Sequence, residues 1–267
     1  MDIVLDKSYL EAASKDAIGQ LCDKNRVFMS ESLFYELLTT TSKQRAMCFD
    51  KFPEKENPVE VINCLGFLLR YETKNKRPSC ASPEFLINVS FRFNKGLSEE
   101  GFVFTNEQQG DIDIWKKDKE LKIKTFKECS AGITCWFPEL ENLPSGSSIE
   151  SIQGAVVKTC QDVDFIRCIY EDIKHGSFPS SRLISKEWVF FRRMQVHLLA
   201  VLEYIRRYGS GNSEAISKKI ENDFLDIEYC ILACVVCGLA SRDRMMREMF
   251  QRLCPEGTLM PKSLIPV

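Results

Sequence analysis

"IVLDKSYLEA", residues 3–12, sets three aliphatic side chains, Ile3, Val4 and Leu5, directly before Asp6 and a segment of helical character. A short apolar run of this kind reads as a strand buried on both faces of a parallel sheet. An acid just past its carboxyl end stands where open α/β sheets gather their ligand chemistry. Asp6 or Ser8 would equally serve as a plain cap for the next helix, and one acid alone does not separate these roles. Working outward, Leu10, Ala13, Ala17 and Leu21 recur at helical spacing through "YLEAASKDAIGQLCDK", residues 9–24. "RVFMS", residues 26–30, is a second short strand, and Ser30 or Ser32 caps "ESLFYELLTT", whose Leu33, Leu37 and Leu38 form an inward stripe. This β-α-β-α opening predicts a layered α/β domain with a parallel sheet.

The chain has 267 residues, 44% of them hydrophobic, enough to bury a substantial core in one enlarged domain or a domain with a sizeable insertion. A formal net charge of −2 supplies no global attraction for nucleic acid, so such binding would have to come from local basic patches. Twelve cysteines are scattered along the chain, and the amino terminus lacks the basic, apolar and small-residue succession of a secretory signal. The expectation is a reduced, cytoplasmic or otherwise intracellular setting with thiols used as small hydrophobes, and no membrane partner. Cys230, Cys234 and Cys237 include a CxxC, but their helical spacing puts them on one apolar stripe, and no second pair or nearby histidine completes a zinc set. His175 and His197 read as structural.

After residue 43 the pattern changes. "NPVEVINCLGFLLRYE", residues 57–72, predicts a helix entered through Pro58. "FLINVSFRFN", "GFVFTN" and "ELKIKTF" alternate like strands among Gly, Pro and Ser turns. From Lys186 the helical period returns in "EWVFFRRMQVHLLAVLEYIRRYG", ended by Gly209. Beyond the polar linker "SGNSEA" come further helix, the apolar helix of "FLDIEYCILACVVCG", a short strand "LAS", the helix "RDRMMREMFQRLC" and a possible edge strand in "SLIPV". Residues 1–45 and 185–260 are therefore expected to build one sheet together. Residues 46–184 are read as a helical segment plus a mixed α/β insertion, least regular from about 75 to 180.

Asp6 and Asp243 each follow a strand, and neighbouring parallel strands would bring both to one sheet edge. Glu36, inside an apolar helix, and Asp226, placed at the opening of another, would reach the same rim from helices stacked on the sheet. Acids so crowded repel one another, a state that divalent cations relieve, and oxygen ligands favour Mg²⁺ or Mn²⁺. Such ions activate water and stabilise the leaving oxygen in phosphodiester hydrolysis without a histidine.

In this order "IVLDKSYL", "LFYELLTT" and "DIEYCILACVVCGLASRD" resemble the successive acidic motifs of PIN-domain nucleases. The resemblance implies Asp6, Glu36, Asp226 and Asp243 as catalytic, metal-holding acids, with Ser8 and Ser241 as supporting hydroxyls. It further implies a three-layer PIN-like α/β domain with a central parallel sheet, interrupted by the large insertion, and Mg²⁺- or Mn²⁺-dependent endonucleolytic cleavage of RNA, usually single-stranded. The chain departs from the family pattern at Lys7, where a small hydroxyl residue is usual, and in the length of its middle; Asp223 and Glu228 compete with Asp226 for the third place.

Arg242 and Arg244, flanking Asp243, are candidates for phosphate contact, as are Arg192 and Arg193 of "FFRRMQ"; Arg206 and Arg207 are explained by their place at a helix end. Asp111 and Asp113 of "GDIDIW" read as a solvated strand face, and "KKDKELKIK" as a solvated run whose Lys116, Lys117, Lys122 and Lys124 could touch phosphates. Trp115, Trp136 and Trp188 are read as core, with base stacking as the other role. A haloacid-dehalogenase-like phosphatase would want an acid where Ser8 stands, and a dinucleotide-binding enzyme would want a glycine-rich first turn. The rival from another class is a PIN-like scaffold that binds RNA or protein without cutting. A regulatory protein partner or a homo-oligomer stays open, and by fold analogy the insertion could be an interaction or sensing module.

Overall fold

The β-α-β-α opening is present in the computed structural model, which describes residues 1–55, 57–79, 95–174 and 178–261. Strand β1 (Asp2–Leu5) leads into α1 (Lys7–Ala12) and α2 (Lys15–Lys24), β2 (Arg26–Ser30), α3 (Glu31–Thr39) and α4 (Ser42–Asp50). The helix expected over residues 9–24 is thus two, because Ser14 accepts a hydrogen bond from the Ala17 amide and starts a new helix there. Ser30, rather than Ser32, caps α3 through the Leu33 amide.

The predicted helix from Pro58 is corrected: strand β3 (Glu60–Ile62) precedes α5 (Leu65–Asn75). Val59, Val61 and Ile62 are buried there, β-branched side chains suited to a pleated surface. The sheet therefore draws its third strand from within the stretch read as inserted.

A second correction concerns the alternating segments. "GDIDIW" and "ELKIKTF" lie in one long helix, α6 (Asn106–Ala131), opened by a capping box between Thr105 and Gln108. Ile112, Trp115, Ile123 and Phe126 turn inward along it at helical spacing. On a helix Asp111 and Asp113 no longer share a face, and both are exposed. The expected strand at "GFVFTN" is irregular chain up to the start of α6, and "FLINVSFRFN" lies outside the described residues, as do His175 and "SLIPV". Among the described residues from 65 to 237 there is no strand.

Helices α7 (Ile133–Trp136), α8 (Gln153–Gln161) and α9 (Val163–Ile173) lead to α10 (Val189–Tyr208) and α11 (Ser213–Val236). Glu72, wholly buried, crosses from α5 to the start of α10, where its carboxylate accepts from the Val189 and Phe190 amides at 2.8 and 3.1 Å and from Ser79. It thereby answers backbone donors that a helix start leaves unpaired. Gly209 ends α10 at φ +83, a conformation that favours glycine. The chain closes with β4 (Gly238–Ala240), α12 (Arg244–Leu253) and β5 (Thr258–Leu259). The cysteine stripe is partly corrected: Cys230 and Cys234 are buried, but Cys237 is exposed and ends α11 at φ 58, and Cys254 packs against Cys234 instead.

All five strands are parallel, in the order β3-β2-β1-β4-β5. The two ends of the chain build one sheet, with Val4 and Leu5 of β1 opposite Leu239 and Ala240 of β4. Ile3, Val4 and Leu5 are fully buried, as the apolar run predicts for a central strand. Their close contact with β4 needs Gly238, since a Cβ there would lie 1.9 Å from the Asp2 carbonyl oxygen. Strand order runs one way from β1 through β3 and the other way from β4 to β5. The β1/β4 junction is the topological switch, where open α/β sheets form a crevice at their carboxyl edge. Among the described residues no helix is long and apolar enough to cross a membrane.

Candidate functional site

The acids of the sequence analysis come to this switch point from four segments. Asp6 follows β1, and its amide donates to the Ala240 carbonyl at 3.0 Å, tying the ends of β1 and β4 together. It precedes α1, yet its side chain makes no cap bond, so the plain capping role is absent. Its carboxylate is 1% exposed. Oδ2 accepts from the Ser8 hydroxyl and, at 2.6 Å, from the Ser241 hydroxyl; Oδ1 is buried with no hydrogen-bond partner among the described residues.

The two serines also accept from the chain after β4: Arg242 N donates to Ser8 Oγ and Asp243 N to Ser241 Oγ, each at 3.0 Å. Burial raises the Asp6 pKa above the ordinary carboxylate value, although these hydroxyls act the other way. Arg247, which sequence reasoning passed over, braces the same loop by donating to the Ser241 and Met260 carbonyls at 2.8 and 2.7 Å.

Asp226 does not open its helix, as expected from sequence, but lies well inside α11. Its rivals point elsewhere. Asp223 binds the Tyr204 hydroxyl and Lys219, and Glu228 accepts from Ser32. The Asp226 carboxyl has no hydrogen-bond partner among the described residues, and its pKa is pushed up to about 8. Burial is the first cause, followed by the charges of Asp6, Asp243, Glu36 and Asp223.

Asp243 does act as a cap, Oδ1 accepting from the Met246 amide at 2.8 Å at the start of α12. Glu36 is engaged on both oxygens. The Lys7 ammonium stands 3.0 Å from Oε1, and the Tyr229 hydroxyl donates to Oε2 at 2.6 Å. Tyr229 is three residues past Asp226 on the same helix, a spacing that turns both toward one side.

The donor chemistry suits a hard divalent cation in kind, since it is all oxygen, and Asp6 Oδ1 and Asp226 have carboxylate oxygens to spare. The arrangement is nevertheless incomplete: among the described residues no three His, Cys, Asp or Glu side chains come together so as to hold a metal ion. The acids are close enough to perturb one another's charge, while Glu36 keeps a lysine as its cation.

The basic candidates divide. Arg242 is exposed beside the acids, and Arg244 is exposed and paired with Glu248 at 2.7 Å. Arg192, by contrast, is buried and spent on Gln195 Oε1 and the Leu253 carbonyl, which corrects its reading as a phosphate contact. Arg193 faces a separate aromatic cavity. A groove of about 450 Å³ is lined by Arg206, Arg207, Arg244 and Arg252 together with Glu203 and Glu248. Trp115 stacks on Tyr35 and Trp188 is buried, as core readings predict.

No protein-family model matches the chain, and no curated protein or solved structure is significantly similar to it.

Proposed function

We propose that the chain is a PIN-like, Mg²⁺- or Mn²⁺-dependent endonuclease that hydrolyses phosphodiester bonds in single-stranded RNA. The observation that carries this reading is Asp226, raised to about 8 with Asp6, Asp243 and Glu36 among the causes. Carboxylates from four distant segments that repel one another at the switch point of a parallel sheet form an arrangement better suited to cation chemistry than to folding. A bound cation would supply an activated water and neutralise charge on the phosphate. Asp6 and Asp226 would hold it, Ser8 and Ser241 fix the Asp6 carboxylate, and Asp243 positions the start of α12 beside it. Exposed Arg242 and the arginine-lined groove supply local positive charge for a phosphate backbone that the net charge of −2 does not. The choice of RNA rests on the resemblance of the motifs.

The second reading, a scaffold that binds without cutting, is favoured by one observation: Lys7 occupies Glu36. Incubation with a single-stranded RNA oligonucleotide separates the two. The nuclease is expected to cut with Mn²⁺ and stop with chelator, and Asp6→Asn to lose about 100-fold in rate. Full activity in Asp6→Asn would assign the cutting to a contaminant. RNA binding without any cleavage by the wild type would leave the scaffold.

A further inference from the structure

Two adjacent arginines on α10 have opposite fates. Arg192 is buried and its Nη1 donates to Gln195 Oε1 and the Leu253 carbonyl, while its Nε has no partner among the described residues. Arg193 has no hydrogen-bond or ion-pair partner among the described residues, yet it lines a cavity of about 250 Å³ bounded by α6, α7, α9 and α10. None of Asp6, Glu36, Asp226 and Asp243 lines this cavity.

Its walls are mostly aromatic and aliphatic, and the other cation that lines it, Lys174, is already paired with Glu171 at 2.6 Å. Phe190 and His197 stand with Arg193 on one face of α10, at helical spacings of three and four, while Phe126, Trp136 and Tyr170 face them from α6, α7 and α9. The Phe126 and His197 rings are stacked, with centroids 4.0 Å apart. Burial in these surroundings lowers the Arg193 pKa despite the charges of Cys129 and Glu228, and burial together with Arg193 holds His197 well below its ordinary value. Arg193 and His197 are half-buried, and a cation without hydrogen-bonded protein partners beside an apolar cavity gains from an anion brought to it. An apolar pocket with a few convergent polar groups is the usual form of a small-molecule site.

We propose that this cavity binds a small planar aromatic anion, its ring against Phe126, Trp136 and Phe190 and its carboxylate or phosphate on Arg193. This inference is independent of the acid cluster.

The test is calorimetric titration of the full chain with 1-naphthoate, its neutral analogue 1-naphthamide, and phenyl phosphate. One of the two anions is expected to bind about tenfold or more tightly than the amide, a charged hydrogen bond's worth of preference. Whichever anion binds more tightly identifies the head group. Arg193→Met should bring the anion down to the level of the amide while leaving amide binding unchanged, which also shows that the cavity still folds. Val201→Phe, filling the cavity from the same helix, should abolish binding of all three. The proposal is overturned if neither anion binds saturably, if the amide binds as well as both anions to the wild type, or if anion binding survives either substitution unchanged.

Discussion

Lys7 is the residue on which the acid cluster turns. Its ammonium supplies to Glu36 the positive charge that a metal would otherwise bring, and the attraction outweighs the burial that opposes its charge, so its pKa lies above the ordinary lysine value. Lys7→Ser would free one oxygen of Glu36. The expected result is a larger rise in melting midpoint on adding Mn²⁺ than the wild type shows, since a ligand stabilises the native state in proportion to its affinity. Equal Mn²⁺ shifts in the two proteins would mean that Glu36 is no part of a metal site.

Asp226 makes a pH prediction. Between the ordinary 3.8 and its value of about 8, the native state keeps a proton that the unfolded chain has lost. The unfolded state thus binds fewer protons, the slope of stability with pH is negative, and this contribution is lost as pH rises through that window. In chelator, Asp226→Asn should flatten the decline and melt roughly 2 °C or more above the wild type at pH 8, with little difference at pH 4. Melting curves at both pH values check it, and a wild-type midpoint unaffected by the substitution at pH 8 would show that Asp226 is not crowded. The short apolar run before Asp6 was enough to place that acid from sequence. The Lys7 and Glu36 pairing was not, because it joins side chains 29 residues apart and no local period records it.

At the scale of elements, Glu72 is a buried acid whose purpose lies in another helix. Glu72→Ala would leave the Val189, Phe190 and Ser79 amides without their acceptor in the interior, a cost of about 3 kcal/mol or more. Glu72→Gln, which keeps one carbonyl acceptor, should cost less. Urea unfolding midpoints of the three proteins give the order, and an Ala variant as stable as the wild type would remove Glu72 from the start of α10.

Elements with a single period were legible: β1, β2, α3, α10 and α12 lie where their apolar spacing predicts. Segments that satisfy two periods were not. "GDIDIW" alternates over six residues, but only across α6 as a whole do Ile112, Trp115, Ile123 and Phe126 reveal one inward stripe. "VEVI" carries the β-branched residues of a strand behind a proline that equally opens helices. In the sequence Asp226 reads as a helix start because the charged stretch before it masks the continuity of α11, which Lys219 and Asp223 support by an i,i+4 pair at 2.7 Å.

Across the whole molecule, the sheet joins the chain's two ends, and the parallel α/β class was legible from the motif order at each of them. The membership of β3 was hidden by its position outside both end segments. A chain stopped after residue 237 lacks β4, the neighbour that covers one side of β1, and lacks Ser241, which holds Asp6. Such a chain is expected to show no cooperative thermal transition by circular dichroism; a melt matching the full chain would mean that β4 adds little to the fold. The same joining imposes an order in time. Asp6 and Ser241 are 235 residues apart in the chain, and at about 5–20 residues per second a ribosome needs roughly 10–50 s to pass from one to the other. Throughout that interval the nascent polypeptide carries Asp6 without its partner from the far end. Whatever reactivity the finished cluster has is withheld until the ribosome has passed Ser241.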